Sequence, residues 1–339
     1  MYKVTLSMPI YNVAPYVERA LLSALNQTFD SIEFLIVDDR GTDDSMDIVR
    51  KIVAEHPRGK EVRIIEHPHN IGTGATKNTA IDNAKGEYLF FMDSDDEITP
   101  DCIEVLYKAM MKEPVDFVAG SYDKVDLDGK LIKGGCYYKD ILLKGKYVIP
   151  ESVYSRKIMI SGITWNKLYS IAFLKKNNIR CFPHHINEDG IFTPFVFYYA
   201  SSCSLLSNIT LTYYQRENST EYNRFRNFSL RNAKEYTEMV DAWKEILSFY
   251  VNTSIYGKYL AFMVESISRT YLLLYQSNSI SKDEKTSYYK NWTKFDISLW
   301  KMFQTIPFNL KGYIYILIMK FPVFVRTFLI YRSVLFKNR

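Results

Sequence analysis

Three carboxylates stand close together in Asp93-Ser94-Asp95-Asp96, directly after the apolar run EYLFFM at residues 87–92. Side chains at this spacing on a turn can converge on one hard cation, because Mg²⁺ and Mn²⁺ prefer oxygen ligands. Ionised carboxylates packed together also repel one another unless a cation neutralises them. A helix cap would need only one of these residues, so the cluster favours a metal site formed by Asp93, Asp95 and Asp96.

Two other acidic pairs are candidates for binding or catalysis. Asp38 and Asp39 follow the apolar run at 34–37, where a carboxylate can accept hydrogen bonds from a base N–H or from ribose hydroxyls. Glu188 and Asp189 lie in a polar break, where a carboxylate can act as a general base. Both pairs are also compatible with helix capping, which from the residues alone is the simpler interpretation of the second pair.

A glycine-rich segment, Asn70–Asn78, matches neither common phosphate-binding loop. The GxGxxG pattern would need glycine at the position where Lys77 stands, and the GxxxxGK[ST] pattern is missing. These mismatches disfavour a dinucleotide-dependent dehydrogenase and a P-loop enzyme. The glycines would still allow the backbone to approach a ligand closely.

Strands and helices alternate over the first 120 residues. The apolar runs predict strands at 3–10, 31–38, 62–66, 87–92 and 115–119, and helices at 17–25, 42–55, 74–84 and 100–111. This alternation over short loops predicts an α/β fold with a parallel sheet covered by helices. Ligands bind outside the carboxyl ends of such strands, so the acidic residues at 38–39 and 93–96 should meet at one edge of the sheet.

The pattern changes in the second half of the chain. A turn of a β-hairpin is predicted at 126–130, and residues 150–225 mix short helices, strands and loops. Beyond them the chain is mainly helical, with helices predicted at 229–250, 254–276 and 282–291. We therefore expect one domain to end near residue 225 and a helical region to follow.

The composition is that of a globular protein, with 339 residues, 47% hydrophobic and 24% charged, and not that of a disordered chain. The four cysteines lack the spacing of a metal site and predict reduced, mostly buried thiols in a cytosolic protein; they are Cys102, Cys136, Cys181 and Cys203. No signal peptide is predicted at the N-terminus.

The C-terminal stretch is basic and aromatic. No acidic residue follows Asp296, and the basic residues there are Lys301, Lys311, Lys320, Arg326, Arg332, Lys337 and Arg339. Charges and Pro322 interrupt the apolar segment 313–336, so a membrane-spanning helix is not expected. Two interpretations stay open, namely amphipathic helices on an anionic membrane surface and a terminal helix packed on the core.

Four segments, in this order and at these spacings, resemble the family 2 glycosyltransferases with the GT-A fold. They are Ser7–Asn12, Ile36–Ser45, Asn70–Asn78 and Phe91–Asp96. Arg40-Gly41 replaces the usual Gly-Ser pair of the second motif, which keeps its acidic residues. The resemblance implies a Rossmann-like, mostly parallel central sheet flanked by helices, with a nucleotide-sugar-binding and catalytic domain at 1–225 and a mainly helical region at 226–339.

The resemblance also implies how a nucleotide-sugar donor is bound. Pro9 and Tyr11 would border the base and ribose, and Asp39 would hold the base N–H with support from Asp38. Asp93 and Asp95 would form the DXD motif that binds Mn²⁺ or Mg²⁺ and the diphosphate, a duty that Asp96 could share. Further donor contacts are expected from Asn12, Asn70, Gly72, Lys77 and Ser94.

Later segments carry the implied catalytic and acceptor groups. Glu188-Asp189 resembles the family's ED motif, with Asp189 as catalytic base. Trp165–Tyr169 resembles the WxKLY segment of bacterial members, which would place Trp165 and Lys167 on the acceptor side. Tyr214-Gln215-Arg216 with Ser219 is similar to a looser YxR…S element, in which Arg216 would contact the diphosphate.

The implied activity is an inverting transfer of a hexosyl or related sugar, from a UDP-linked donor to a hydroxyl of a polysaccharide or a lipid-linked oligosaccharide. Such an enzyme of the bacterial cell envelope would be cytoplasmic, or peripheral on the cytoplasmic face of the inner membrane. No nucleic-acid partner is expected. Two alternatives are a catalytically inactive nucleotide-sugar-binding module and a nucleotidyltransferase; the segment Ser7–Val13 lacks the glycine-rich, basic signature that the latter would need.

Overall fold

The computed structural model describes residues 2–184, 187–216, 227–295, 297–306 and 313–317, except for the side chain of Leu299. The chain divides into two compact units. The first contains Met1–Ile149 and Met159–Glu217, and the second contains Pro150–Ile158 and Asn218–Arg339. The assignment of residues 150–158 to the second unit has no counterpart in the sequence pattern.

The first unit contains all nine strands found in the described residues, together with most of the shorter helices. The strands are β1 (Val4–Ile10), β2 (Ile32–Asp38), β3 (Val62–Glu66), β4 (Tyr88–Phe91), β5 (Glu97–Ile98), β6 (Phe117–Val125), β7 (Ile141–Lys144), β8 (Lys167–Ser170) and β9 (Ser202–Tyr214). Its helices are α1 (Ala14–Leu25), α2 (Ser45–Glu55), α3 (Thr73–Asn83), α4 (Cys102–Lys112), α6 (Ile171–Lys176) and α7 (Asp189–Tyr199). Helix α5 (Val148–Tyr154) contains residues of both units.

The strands form one sheet in the order β3-β2-β1-β4-β8-β6-β9-β5, and β7 pairs with β9. Strands β1 to β4 are parallel to one another, as the alternation of strands and helices predicts. Beyond β4 the sheet is mixed, because β8 runs antiparallel to both β4 and β6 while β9 is parallel to β6. The predicted α/β fold with helix-covered strands is therefore confirmed, and its parallel part is the N-terminal half.

Burial explains why these segments fold as they do. Strand β2 is buried at every position, which is the pattern of a strand covered on both faces. Helix α1 buries one stripe of small and aliphatic side chains, formed by Val17, Ala20, Leu21, Ala24 and Leu25. Removing such apolar surface from water, at about 25 cal/mol per Å², is the main force that holds helices against the sheet.

The register of the parallel strands fixes where the functional residues lie. Ile10 is paired with Asp38 across β1 and β2, and Ser7 is paired with Phe91 across β1 and β4. The carboxyl ends of these three strands therefore lie at one edge of the sheet. The prediction that the acidic residues after β2 and β4 share an edge is confirmed.

Two smaller predictions for this unit are also confirmed. The backbone turns at 126–130, where Asp126 N donates to Lys130 O at 3.0 Å, and Val125 then pairs antiparallel with Leu131. The four cysteines are all free and buried.

The second unit is helical in its described part. Its helices are α8 (Leu230–Phe249), α9 (Tyr256–Gln276), α10 (Lys282–Trp292) and α11 (Leu299–Thr305), and residues 313–317 are helical too. Capping boxes start α8, through Ser229 and Asn232, and α10, through Ser281 and Glu284. The indole of Trp292 is buried and its Nε1 donates to Thr237 Oγ1 at 2.8 Å, which ties α10 to α8.

Most of the basic C-terminal stretch lies outside the described residues. Of the predicted amphipathic segment at 313–336, the structure describes residues 313–317. The described helices include none that is long and apolar enough to cross a membrane. The membrane-surface prediction concerns residues outside the described part of the chain, namely Lys311, Lys320, Arg326, Arg332, Lys337 and Arg339. Ser219, assigned to the YxR…S element, also lies outside it.

Candidate functional site

The acidic turn, defined as residues 93–96, connects β4 to β5. One carboxylate oxygen from each of Asp93, Asp95 and Asp96 lies within 4.8 Å of the other two. Asp96 is fully buried; its Oδ1 accepts the Tyr214 amide at 3.0 Å, and its Oδ2 has no hydrogen-bond partner among the described residues. The neighbouring helix α4 has Asp101 at its N-cap, so the turn does not serve as a helix cap.

The charges of the turn are unfavourable without a counter-ion. Burial raises the pKa of Asp93 to about 6, against the lowering effect of Lys77. Burial likewise raises the pKa of Asp95, and burial together with the neighbouring Asp95 and Asp93 raises the pKa of Asp96 well above its ordinary range. Three converging carboxylates, one with an unpartnered buried oxygen, suit a divalent cation that prefers oxygen ligands. The residues present therefore fit Mg²⁺ or Mn²⁺.

Two arginines flank the acidic turn. The Arg216 guanidinium forms an ion pair with the Asp95 carboxylate and lies over the ring of Tyr16. Arg19 Nη2 donates to the Asp95 carbonyl at 2.8 Å, and its guanidinium lies 3.5 Å from the centre of the Tyr214 ring. Arg216 is predictable from its motif, whereas Arg19 is not, because the helical pattern of α1 gives no signal for it.

Asp39 is buried and its carboxylate accepts four hydrogen bonds. Oδ1 accepts from His67 Nδ1 at 2.8 Å and Ile71 N at 3.0 Å, and Oδ2 accepts from Asn70 Nδ2 at 2.8 Å and Gly72 N at 2.9 Å. These bonds fill the acceptor positions of the carboxylate and tie the loop at 70–72 to the end of β2. The predicted donor residues Asn70 and Gly72 therefore lie beside Asp39.

Other predicted donor residues line the same edge of the sheet. Pro9 is half-buried, while Tyr11 is 46% exposed and its ring can cover a ligand. Asn12 adopts the left-handed conformation at φ 52° and accepts the Thr42 amide at 2.7 Å, which joins the ends of the first two motifs. Asp38 accepts the Arg40 amide at 2.8 Å. Ser94 is buried inside the acidic turn.

The glycines of the segment 70–78 contact the protein itself. A Cβ at Gly74 would lie 2.0 Å from Phe182 O, and one at Gly72 would lie 2.8 Å from Pro183 O. Asn78 forms two hydrogen bonds with the main chain of Cys181, at 2.8 and 2.9 Å. The backbone freedom expected for ligand approach is thus used to dock helix α3 against the segment 181–183, which leads to Glu188 and Asp189.

Lys77 joins the acidic pair to the rest of the site. Its ammonium lies 2.5 Å from Glu188 Oε1 and 3.4 Å from Asp189 Oδ1, and it donates to Thr164 Oγ1. The Thr164 amide donates to Asp189 Oδ1 at 3.0 Å. Burial raises the pKa of Glu188 to about 7, while Lys77 opposes that rise. Thr164 was not predicted, although it directly precedes the motif residue Trp165.

Glu188 and Asp189 lie at the N-terminus of α7, where the helix dipole favours negative charge. Glu188 occupies the N-cap position but makes no capping hydrogen bond, because its carboxylate turns to Lys77. The Asp189 side chain is 29% exposed, and the hydrogen bonds that its carboxylate accepts from Lys77 and Thr164 both fall on Oδ1 and not on Oδ2. The Oδ2 oxygen can accept a proton from a bound molecule.

The segment Trp165–Tyr169 supports the site from inside the protein. Trp165 stacks on Tyr213 with ring centres 5.6 Å apart and is 5% exposed. Lys167 is also buried; its ammonium donates to Ile163 O at 2.5 Å, and burial lowers its pKa to about 8. Neither predicted acceptor-side residue therefore presents much surface to a ligand, and both hold the loop that carries Thr164.

Comparisons with known proteins agree with this architecture. Residues 5–165 match the family described as glycosyl transferase family 2. An uncharacterized glycosyltransferase of Haemophilus influenzae is 35% identical over 130 residues, which cover 38% of this chain and 51% of that protein. The chondroitin synthase of Pasteurella multocida is 37% identical over 133 residues, 39% of this chain and 13% of that protein. The chain thus spans about half or less of the length of these relatives.

The fold has a solved counterpart. The crystal structure of Staphylococcus aureus TarS 1-349 in complex with UDP-GlcNAc superposes with a TM-score of 0.68 at 20% identity, covering 90% of this chain and 82% of that one. At this identity the likeness concerns the fold, and the GT-A expectation is confirmed. The family match, the relatives and the fold agree with one another: residues 5–165 of this chain match glycosyl transferase family 2, and the fold is the one that TarS has.

Proposed function

We propose that this glycosyltransferase moves a sugar from a nucleoside-diphosphate sugar, with UDP as the nucleotide, to an acceptor hydroxyl with inversion of configuration. The observation that carries the proposal is that Lys77, which forms ion pairs with Glu188 and Asp189, also interacts electrostatically with Asp93 of the acidic turn, so that both acidic centres lie near one lysine. The acidic turn has oxygen ligands for a cation, which could in turn hold a diphosphate, and Asp189 has a carboxylate oxygen, Oδ2, that could take a proton. The TarS structure with UDP-GlcNAc supports UDP as the nucleotide.

In this proposal the donor lies along the edge formed by β1, β2 and β4. Tyr11 covers the base, and the loop at 70–72, held by Asp39, forms the wall beside it. Asp93 and Asp95 would hold the divalent cation, with the buried Oδ2 of Asp96 as a further ligand. When bound, the cation would neutralise charge that grows on the leaving diphosphate.

The reaction is a single displacement. Asp189 Oδ2 takes the proton of the acceptor hydroxyl while that oxygen bonds to the anomeric carbon of the donor. The bond from the anomeric carbon to the diphosphate oxygen breaks, and the nucleoside diphosphate leaves. Because attack and departure occur on opposite faces, the configuration inverts. Trp165 and Lys167 would act on the acceptor side through the loop that they hold. Arg216, which is ion-paired with Asp95, would bind the diphosphate when Asp95 turns to the cation.

A polysaccharide or a lipid-linked oligosaccharide is the proposed acceptor. The similarity to a chondroitin synthase supports the polysaccharide class. The basic C-terminal stretch would hold the enzyme against an anionic membrane surface, where a lipid-linked acceptor resides. Flotation with anionic liposomes should be lost when the chain is ended at Ile306. Equal flotation of both proteins would contradict this location.

The catalytic proposal is tested with Asp189→Asn. A thermal-shift screen of UDP-, GDP-, dTDP- and CMP-sugars with Mn²⁺ first identifies the donor, and NMR of the product shows whether the anomeric configuration inverts. We expect the variant to bind UDP with Mn²⁺ as the unmodified enzyme does, and to lose transfer by at least about 10²-fold because the base is missing. Retained transfer would overturn the role of Asp189. UDP binding without hydrolysis or transfer by the unmodified protein would indicate a binding module.

A further inference from the structure

Lys77 stands at the centre of a buried cluster of charges. Lys77 is only 2% exposed to solvent, although its side chain carries an ammonium group. A buried ammonium is stable only if it is fully hydrogen-bonded and paired. The contacts of Lys77 are with Thr164, Glu188 and Asp189, and its pKa is held well above the ordinary range by the two carboxylates in spite of burial.

These contacts use the whole donor capacity of the side chain. An ammonium group has three hydrogens and no acceptor, and Lys77 has three acceptors around it: one hydroxyl oxygen and one oxygen from each carboxylate. No hydrogen is left for a phosphate oxygen. The arrangement therefore differs from the expected contact between Lys77 and the donor.

The same contacts set the orientation of the proposed base. Asp189 Oδ1 accepts hydrogen bonds from the Lys77 ammonium at 3.4 Å and from the Thr164 amide at 3.0 Å, so both interactions hold the same oxygen and neither uses Oδ2. Glu188 takes the shorter contact at 2.5 Å. Two adjacent carboxylates repel each other, and an ammonium between them removes most of that repulsion.

Helix α3 is built to keep Lys77 in this place. Gly74 allows the helix to contact the backbone of Phe182, and the side chain of Asn78, one turn further along, forms two hydrogen bonds with the main chain of Cys181. Asp39 fixes the loop that begins the helix. The segment 70–78 thus carries its lysine to the acidic pair, which lies 111 residues further along the chain.

We propose that Lys77 is a positioning residue for the base Asp189: its ammonium holds one carboxylate oxygen and compensates Glu188, and it does not bind the donor diphosphate. The proposal rests on the proposed function, because it needs Asp189 to be the base. The charged and titratable groups around Lys77 are Glu188, Asp189 and Asp93, together with Cys181, Tyr169 and Lys167.

The test compares Lys77→Met with Lys77→Arg, and uses Lys85→Met as the control because Lys85 is an exposed residue just beyond α3. Calorimetry with UDP and Mn²⁺ should give dissociation constants within about twofold for all proteins. Transfer by Lys77→Met should fall by about 10²-fold in kcat, with the KM for the donor nearly unchanged, as expected when a base loses its orientation. Lys77→Arg should recover a substantial part of the loss.

The pH profile separates positioning from a general structural role. Without the ammonium the acidic pair is protonated more easily, so the acid limb of the kcat profile should move to higher pH by about one unit in Lys77→Met. The double variant Lys77→Met/Glu188→Gln removes both charges and should fold even if the single variant does not. The double variant should bind UDP as tightly as the unmodified enzyme does, and its kcat for transfer should remain low.

A tenfold or larger loss of UDP affinity in Lys77→Met, or an unmoved acid limb, would overturn the proposal. Failure of the proposed function has a different signature. In that case the unmodified protein would show no transfer or hydrolysis with any donor, whereas the UDP affinities would still report whether Lys77 contacts the diphosphate.

Discussion

The guanidinium of Arg216 forms an ion pair with the carboxylate of Asp95, one of the three acidic residues that we assign to cation binding. Both side chains are mostly buried, at 25% and 13% exposure. The arginine therefore balances part of the negative charge of the acidic turn. A cation bound to Asp95 would take over this role and free Arg216 for the diphosphate.

Replacement of Arg216 should destabilise the metal-free protein more than the metal-bound protein. Arg216→Met leaves Asp95 without its partner beside two other carboxylates, which should cost about 1–2 kcal/mol after allowance for partial solvent exposure. Urea unfolding in EDTA and in excess Mn²⁺ measures the difference. Arg50→Met, at an exposed ion pair with Glu66, should change stability little in either condition. An equal loss for Arg216→Met in both conditions would contradict the balancing role.

Replacement of Asp95 should weaken the cation-dependent part of donor binding. Asp95→Asn keeps the shape of the side chain but removes the charge that a divalent cation needs. We expect at least about tenfold weaker UDP binding in Mn²⁺ and no further change in EDTA, measured by titration calorimetry. Asp101→Asn is the matched control, because Asp101 lies nearby at the start of α4 and outside the acidic turn. If Asp95→Asn binds UDP with unchanged affinity, Asp95 has no part in cation binding.

The close packing at Gly74 should make that position intolerant of any side chain. A Cβ there would lie 2.0 Å from a backbone oxygen that cannot move freely, so Gly74→Ala should destabilise the protein by roughly 2–3 kcal/mol. Gly162→Ala provides the control, since a Cβ at Gly162 would meet nothing within 4 Å. Denaturant unfolding of both variants gives the comparison. Equal stability would mean that α3 does not dock on residues 181–183 as described.

Glu188 should make the metal-free protein less stable as pH rises toward neutrality. Burial raises the pKa of Glu188 from 4.5 to about 7, so between these values the folded protein binds more protons than the unfolded chain. The stabilisation is complete below pH 4.5 and is lost as pH rises through 7. We expect the free energy of unfolding in EDTA to fall from pH 5 to 7.5, and to fall less steeply in Glu188→Gln. Parallel curves for the two proteins would exclude this linkage.

The strand–helix alternation and the acidic turn were predictable because both depend on local sequence. A continuous apolar run such as β2 can be satisfied only by burial on both faces, and parallel strands must end at a common edge. The antiparallel strand β8 was not predictable, because β8 pairs with β4 and β6, which lie far from it in the chain. The motif that contains β8, Trp165–Tyr169, resembles a family segment, but its sequence does not indicate that the side chains of Trp165 and Lys167 are buried.

That Asp93, Asp95 and Asp96 stand on one turn after a buried strand follows from local sequence, because four consecutive residues cannot separate. That Asp39 accepts four hydrogen bonds, and that Lys77 contacts Glu188, depends on how the chain packs in three dimensions. These outcomes depend on partners that approach from distant parts of the chain. A buried charge takes whichever partner the packing brings within hydrogen-bond distance, and that packing is a property of the whole fold.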